Sequence, residues 1–414
     1  MLFTKGVKKV SHFTLKNYET IAGNAIMNEI EAYGEKLQGY NVLHINSTAV
    51  GGGVAEILHS LVPLMQEVGL SVKWSVLKGS PKFFNTTKQF HNGLHGQQVN
   101  ITAEMLEHYL ANAQKNRNLL EDEADLIVLH DQQPLGLTAY RSESKSRWLW
   151  YCHIDPSYAV PSVWYFLAPL VAACDVSVFH LPEYARDLSV LQYFMPPAID
   201  PLSDKNREVT PEEYDSILEK LDIDPSGPPI ILQVSRFDRL KDPVGVIEAF
   251  RLVRKNRKCQ LILAGGSADD DPEGAIVLEE VRELADNDPD IKILALEPNA
   301  NLQINVLQRR ANVIVQKSLR EGFGLTATEA LWKEKPLVAT PTGGLAYQVI
   351  DGKTGLTAKT VEEVASQIER ILANPDWANK LGSAGKKHVT QRFILPVYLR
   401  NWLRLITLLR GQEK

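Results

Sequence analysis

The sequence predicts an α/β protein of two doubly wound domains, each a parallel sheet covered by helices on both faces. Three observations lead there. Short apolar runs alternate with helical stretches along most of the chain. That rhythm breaks once, at Met195-Pro-Pro-Ala-Ile-Asp-Pro201, and then resumes. With 414 residues the chain has the length of two to three domains. Repeated strand–helix alternation favours parallel sheets. Prolines cannot donate ladder hydrogen bonds and stiffen the chain, so the break reads as a joint.

In the first half, Asn41-Val-Leu-His-Ile-Asn46 reads as a buried strand. It leads through Gly51-Gly52-Gly53 into a helix with Ala55, Ile57, Leu58, Leu61 and Leu64 on one side. Strands follow at 72–77, 125–130, 148–153 and 175–179, with a helix over 105–120. After the joint a helix is expected at 211–221. Strands are then expected at 229–234, 260–264, 291–295, 312–315 and 336–339. The intervening helices fall at 244–255, 275–285, 304–311, 326–332 and 361–372. The last segment, 395–409, is apolar and amphipathic. The expected division is a first domain over 1–200 and a second over 201–390, with the helix of 391–414 crossing back onto the first. Both are Rossmann-like. Ligands of such sheets bind beyond the carboxyl ends of the strands, so the expected site is the cleft between the two.

Composition narrows the function. Hydrophobic residues make up 44% and charged residues 23%, enough apolar surface to order the chain, which argues against disorder. The net charge of −5 argues against a nucleic-acid binder. The apolar stretch 163–174 is shorter than a membrane span and is cut off by Asp175. MLFTKGVKK lacks the apolar core of a signal peptide. The cysteines, Cys152, Cys174 and Cys259, form no Cys-x-x-Cys pair. A cytoplasmic protein without membrane or nucleic-acid partners is expected.

Four clusters carry chemistry. Gly52 and Gly53 lie between a strand and a helix, where backbone N–H groups can approach a phosphate. A tight turn would use the same residues. Arg236 and Lys241 follow the first strand of the second half, where two cations can neutralise a diphosphate. In a solvated loop they would be ordinary charges. Arg320-Glu321-Gly322-Phe323-Gly324-Leu325-Thr326 opens a helix that carries Glu329. Here Glu321 can accept from a sugar hydroxyl, and Glu329 is placed for a ribose diol. His130-Asp131 and His153-Ile-Asp155 end strands on the cleft side, although a lone histidine is more often structural. Trp148, Trp150 and Trp164 read as core. Asp269-Asp270-Asp271 reads as an exposed acidic turn rather than a cation site, and no metal-ligand cluster is evident.

Taken together, these stretches resemble the retaining, sugar-nucleotide-dependent glycosyltransferases of family 4. The ordered set includes Gly51–Gly53, His153, Ser235–Lys241, Glu321-x7-Glu329, Gly343-Gly344 and Asp351-Gly-Lys-Thr-Gly355. Four stretches narrow it to the trehalose glycosyltransferring synthases: 46–64, Trp148-Leu-Trp-Tyr-Cys-His-Ile-Asp155, Phe179-His-Leu-Pro-Glu-Tyr184 and 195–202. Asp270-Asp-Pro-Glu-Gly274 adds a fifth.

The resemblance implies a GT-B fold and transfer of glucose from UDP- or ADP-glucose to free glucose, giving α,α-trehalose reversibly. It implies that Arg236 and Lys241 bind the diphosphate, and that Glu321 and Gly322, Phe323 and Gly324 hold the donor glucose. Leu325 and Thr326 line the phosphate end, and Glu329 takes ribose. Gly52 and Gly53 meet the phosphates from the other side. His153 touches the transferred sugar, and Asp131 the acceptor. The catalytic set is Arg236, Lys241, Glu321 and His153. No cofactor is required; Mg2+ would act through the diphosphate, not at a fixed site. A homodimer is the expected assembly. Rival readings are another acceptor, such as glucose 6-phosphate, a GT-B sugar-nucleotide epimerase, and a non-catalytic sugar-nucleotide sensor. Lys82 and Lys88 are the cations that would fold over the acceptor pocket if a second phosphate is bound.

Overall fold

The computed structural model describes residues 13–50, 52–120, 123–266 and 272–411. The triplet member Gly51 and the acidic turn 269–271 lie outside them. Six strands build each sheet. The first holds β1 (Asn41–Asn46), β2 (Ser71–Val76), β3 (Leu126–His130), β4 (Arg147–Cys152), β5 (Val176–Phe179) and β6 (Leu191–Phe194). The second holds β7 (Ile230–Val234), β8 (Gln260–Gly266), β9 (Ile291–Leu296), β10 (Val313–Gln316), β11 (Leu337–Ala339) and β12 (Leu356–Thr357). The strand orders are β2-β1-β3-β4-β5-β6 and β12-β11-β10-β7-β8-β9, and every pairing is parallel.

Central strands β3 and β7 are buried at every position, as parallel strands covered on both faces must be. Alternation then sorts side chains between two cores per sheet. Leu43, Ile45, Ile127, Leu129, Trp148 and Trp150 fill one face of the first sheet. Val42, Val128, Leu149, Tyr151 and Val178 fill the other, and there the Leu395–Gly411 helix lays down Tyr398, Leu399, Trp402 and Ile406. The two chain segments near the joint run side by side: the Ile199 N–H donates to the Phe393 carbonyl and the Leu395 N–H to the Ile199 carbonyl, both at 2.9 Å.

Two strands escaped the sequence reading, β6 and β12. Both are short sheet edges, and β6 is half-exposed, so neither carries a buried apolar run. The helix expected over 105–120 is an α-helix at Ala103–Lys115, followed by a 3-10 turn at Arg117–Leu120. A helix at Pro81–Leu94, started by a Ser80 cap and Pro81, was also missed; it proves to line the site.

The chain order reverses between β1 and β3 and again between β7 and β10. These are the crevices at which an open α/β sheet binds ligands. The loops leaving β1, β4, β5, β7 and β10 all reach one cleft.

Candidate functional site

The cleft has a volume of about 780 Å³ and both halves of the chain wall it. It gathers Gly52, Gly53, His153, Arg236, Lys241, Glu321, Gly322, Phe323, Gly324, Leu325, Thr326 and Glu329, stretches up to 277 residues apart in sequence (329 − 52).

Two helix N-termini meet there. Gly52 caps the Gly53–Glu67 helix at φ 79°, a conformation that favours glycine. Gly324 caps the Leu325–Trp332 helix at φ 84°. The helices nearly touch: a methyl at Gly53 would lie 3.3 Å from Leu325 Cδ1. The first N–H groups of each helix have no intrahelical acceptor, so an anion between them meets donors from both sides. Arg236 adds a half-exposed guanidinium, 3.1 Å from Asp238.

The loop after β10 is held in shape by glycines. A methyl on Gly343, whose φ is 49°, would overlap the Glu321 carbonyl, and one on Gly344 would overlap the Phe323 backbone. The Tyr184 hydroxyl, from the first half, donates to the Gly322 carbonyl at 2.6 Å and stands 3.3 Å from that of Glu321. Glu321 is nearly buried, and its Oε2 accepts from Lys241 Nζ at 2.6 Å and from Ser318 Oγ at 3.0 Å. Among the described residues no donor reaches its Oε1.

Glu329 is buried, and its Oε2 has no partner among the described residues. Lys205 stands 3.8 Å from Oε1 and binds Glu56 Oε2 at 2.8 Å, joining the two sides of the joint. Burial opposes the Lys205 charge, but Glu329 and Glu56 hold it up, at about 12. Burial raises Glu329 above the usual carboxylate range despite Lys205 and Lys333 nearby.

The other wall is imidazole-rich. The ring nitrogens of His153 both face histidines: Nε2 is 2.9 Å from His130 Nδ1, and Nδ1 is 3.2 Å from His180 Nε2. The His153 carbonyl, rather than its ring nitrogens, points towards the donor loop, 3.4 Å from where a Gly322 methyl would stand. Asp131 does not line the cleft; its Oδ1 accepts the His153 N–H at 2.8 Å from behind. Burial raises the Asp131 carboxyl to about 7. His130 is buried behind the wall.

Several lining residues were missed by the sequence reading. His91, Asn92 and His95 come from the Pro81–Leu94 helix and the turn that ends it; of the two cations expected over the acceptor pocket, Lys88 on that helix lines the cleft, while Lys82 pairs with Glu104 instead. Arg320, in the lining, lies over the Tyr158 ring of the first half, 4.3 Å from its centroid. His180 follows β5 directly, the same strand-end position that singled out His130 and His153. Among the described residues no group of three or more His, Cys, Asp or Glu could hold a metal ion, and no helix is long and apolar enough to cross a membrane.

Two doubly wound sheets facing each other across a cleft with these loops define a glycosyltransferase of the GT-B class. Residues 218–388 match the glycosyl transferases group 1 model, and residues 44–186 match that of the trehalose synthase N-terminal domain. Trehalose synthase of Pyrococcus horikoshii is 41% identical over 99% of this chain and 98% of its own. Trehalose phosphorylase of Pleurotus pulmonarius is 25% identical over 97% of this chain and 61% of its own. The solved trehalose-6-phosphate synthase OtsA superposes with a TM-score of 0.73 at 14% identity, covering 90% of this chain and 99% of that one. The chain belongs to the trehalose synthase family, and its chemistry is trehalose-related glycosyl transfer.

Proposed function

We propose that the protein moves glucose from a nucleoside-diphosphate glucose, UDP- or ADP-glucose, to free glucose with retention, forming α,α-trehalose reversibly. The observation that carries this reading is the buried, unpartnered Glu329 Oε2 in the cleft wall. A buried acceptor without a donor is costly, and a ribose diol supplies the missing donors. The paired helix N-termini, with Arg236 and Lys241, suit the diphosphate that a ribose there would carry. Mg2+ would act on that diphosphate alone.

Transfer breaks the bond between the glucosyl anomeric carbon and the diphosphate oxygen, and negative charge grows on that oxygen. Fixed cations at that end stabilise the transition state more than the ground state. Glu321 offers Oε1 to a donor-sugar hydroxyl while Lys241 and Ser318 hold Oε2. That engagement favours attack by the acceptor hydroxyl from the face the leaving group departs. The new C–O bond forms there, and the hydroxyl proton passes to the departing phosphate oxygen.

Lys88 in the cleft wall favours one second reading, an acceptor bearing a phosphate such as glucose 6-phosphate. Purified protein mixed with UDP- or ADP-glucose and either glucose or glucose 6-phosphate separates the two. Trehalose with free nucleoside diphosphate supports the first reading; trehalose phosphate alone moves the assignment to the second. Nucleotide release without any disaccharide would defeat both.

A further inference from the structure

Four histidines form a continuous hydrogen-bonded chain through the first sheet. His44 Nδ1 lies 3.0 Å from His130 Nε2, His130 Nδ1 2.9 Å from His153 Nε2, and His153 Nδ1 3.2 Å from His180 Nε2. Sheet register explains the alignment. His44 pairs with Val128, His130 with Tyr151, and Tyr151 with Val178. Stepping two residues from Val128, Tyr151 and Val178 reaches His130, His153 and His180. All four side chains therefore leave the same face, in a staircase rising to the cleft. Tyr151 anchors the steps, its ring stacked on His153 at 4.0 Å and edge-on to His180 at 5.7 Å.

The chain has few protonation states. A neutral imidazole has one N–H and one lone pair. Both nitrogens of His130 and of His153 are engaged, so the protons must all point one way. Either every ring carries its proton on Nδ1 or every ring carries it on Nε2. Burial pushes all four histidines towards the neutral form. The two ends, His44 Nε2 and His180 Nδ1, are buried without partners among the described residues. The His44 end is sealed beneath Trp402, ring centroids 5.4 Å apart, so it is no exit for a proton. The other end is in the cleft wall, since His153 and His180 both line it.

We propose that His44, buried out of reach of any ligand, is a positioning residue that fixes through His130 the shared tautomer of His153 and His180 at the wall receiving the sugar. The proposal rests on the transfer reading only for what occupies the cleft; the chain itself does not depend on it. With the tautomer fixed, His180 Nδ1 presents one hydrogen-bonding character, and the His153 ring and carbonyl keep one orientation. Without His44 the three remaining rings still point one way, but the inner end of the chain is then His130 Nε2 instead of the His44 nitrogen sealed beneath Trp402, and the balance between the two alternatives changes.

Two readouts test it on the full-length protein. Nitrogen-15 histidine labelling and two-bond correlation spectra report the tautomer of each ring. The wild type should show one tautomer shared by all four. His44→Phe keeps an aromatic ring and removes both nitrogens; the signals of His130, His153 and His180 should then move together towards the other tautomer. His44→Asn places a group that can donate or accept near the lost Nδ1 and should restore them. In glucosyl transfer, His44→Phe should lower kcat about tenfold, the loss of roughly one hydrogen bond, with the donor KM little changed. His44→Asn should recover most of that rate. Mixed tautomers in the wild type overturn the proposal even if the Phe variant does not fold. So do His153 and His180 signals unmoved by His44→Phe, or a rate loss that Asn does not rescue. If no transfer is found with any acceptor, the spectra still decide the tautomer claim.

Discussion

The two walls of the cleft are built on opposite principles. The second-sheet wall is charged: Arg236, Lys241 and Glu321 sit on loops shaped by glycines, and Lys241 and Glu321 are paired at 2.6 Å. The first-sheet wall is hydrogen-bonded and largely uncharged, with imidazoles held neutral by burial and braced by Tyr151 and Trp402. A charged group does most where charge appears during reaction. A neutral, tightly packed group does most where geometry must not change. The difference assigns electrostatic work to one wall and positioning to the other.

The sharpest way to break that contrast is to remove a cation. Lys241→Ala should lower kcat on the order of 10²-fold, about 3 kcal/mol, in line with losing a preorganised donor at a developing charge. Steady-state kinetics on the proposed substrates would show it. The loss should be mainly in kcat, because the interaction strengthens as the diphosphate departs. A rise in donor KM with kcat unchanged would mean that the charged wall only binds.

A smaller effect on transfer is expected where the walls are tied together. Tyr184→Phe removes the hydroxyl that reaches from the first half to the Gly322 carbonyl at 2.6 Å, leaving a buried acceptor underused. The cost should be about 1–3 kcal/mol of stability, read by chemical denaturation. Activity should fall less than for Lys241→Ala, since the loop loses a brace and not a charge. Equal losses in the two variants would mean that the loop's placement, not its charge, limits the rate.

The same contrast explains what could be read from the sequence. The charged wall comes from two contiguous segments, 235–241 directly after β7 and 320–329 a short loop beyond β10, so residue type and spacing were visible together. The parallel sheets were legible because buried strands such as β3 and β7 are unbroken apolar runs. The neutral wall is assembled from one residue inside β1 and three at or just past strand ends, separated by 86, 23 and 27 residues. His44 looks like one polar residue inside an apolar strand, and His180 like a loop residue. Only the register that sets His44 beside Val128, and Tyr151 beside Val178, turns them into a network. His91 and Asn92 were hidden for another reason. Their helix, 81–94, has a helical period, but three of the six residues on its buried stripe are Thr86, Thr87 and Gly93, so no apolar pattern announces it.

The smallest effect on transfer belongs to the one acid set behind the neutral wall, and its stability profile tests how neutral that wall is. Asp131 has φ 63°, a region that Asp and Asn tolerate, and its Oδ1 accepts the His153 N–H. Burial raises its carboxyl from 3.8 to about 7, against the pull of that hydrogen bond. Because the folded-state value is the higher one, the protonated acid stabilises the fold. That contribution is complete below about pH 4 and is lost as the pH rises through about 7. Asp131→Asn keeps an acceptor for His153 and cannot ionise. Its stability relative to the wild type should therefore climb between pH 4 and pH 8, by on the order of 2–4 kcal/mol, since each tenfold difference in proton affinity between the folded and unfolded chain is worth about 1.4 kcal/mol. Thermal melts of the two proteins across that range would read the difference as a few degrees. Parallel stability curves would mean that Asp131 is already ionised at low pH, and that the imidazole wall carries a fixed negative charge at its back.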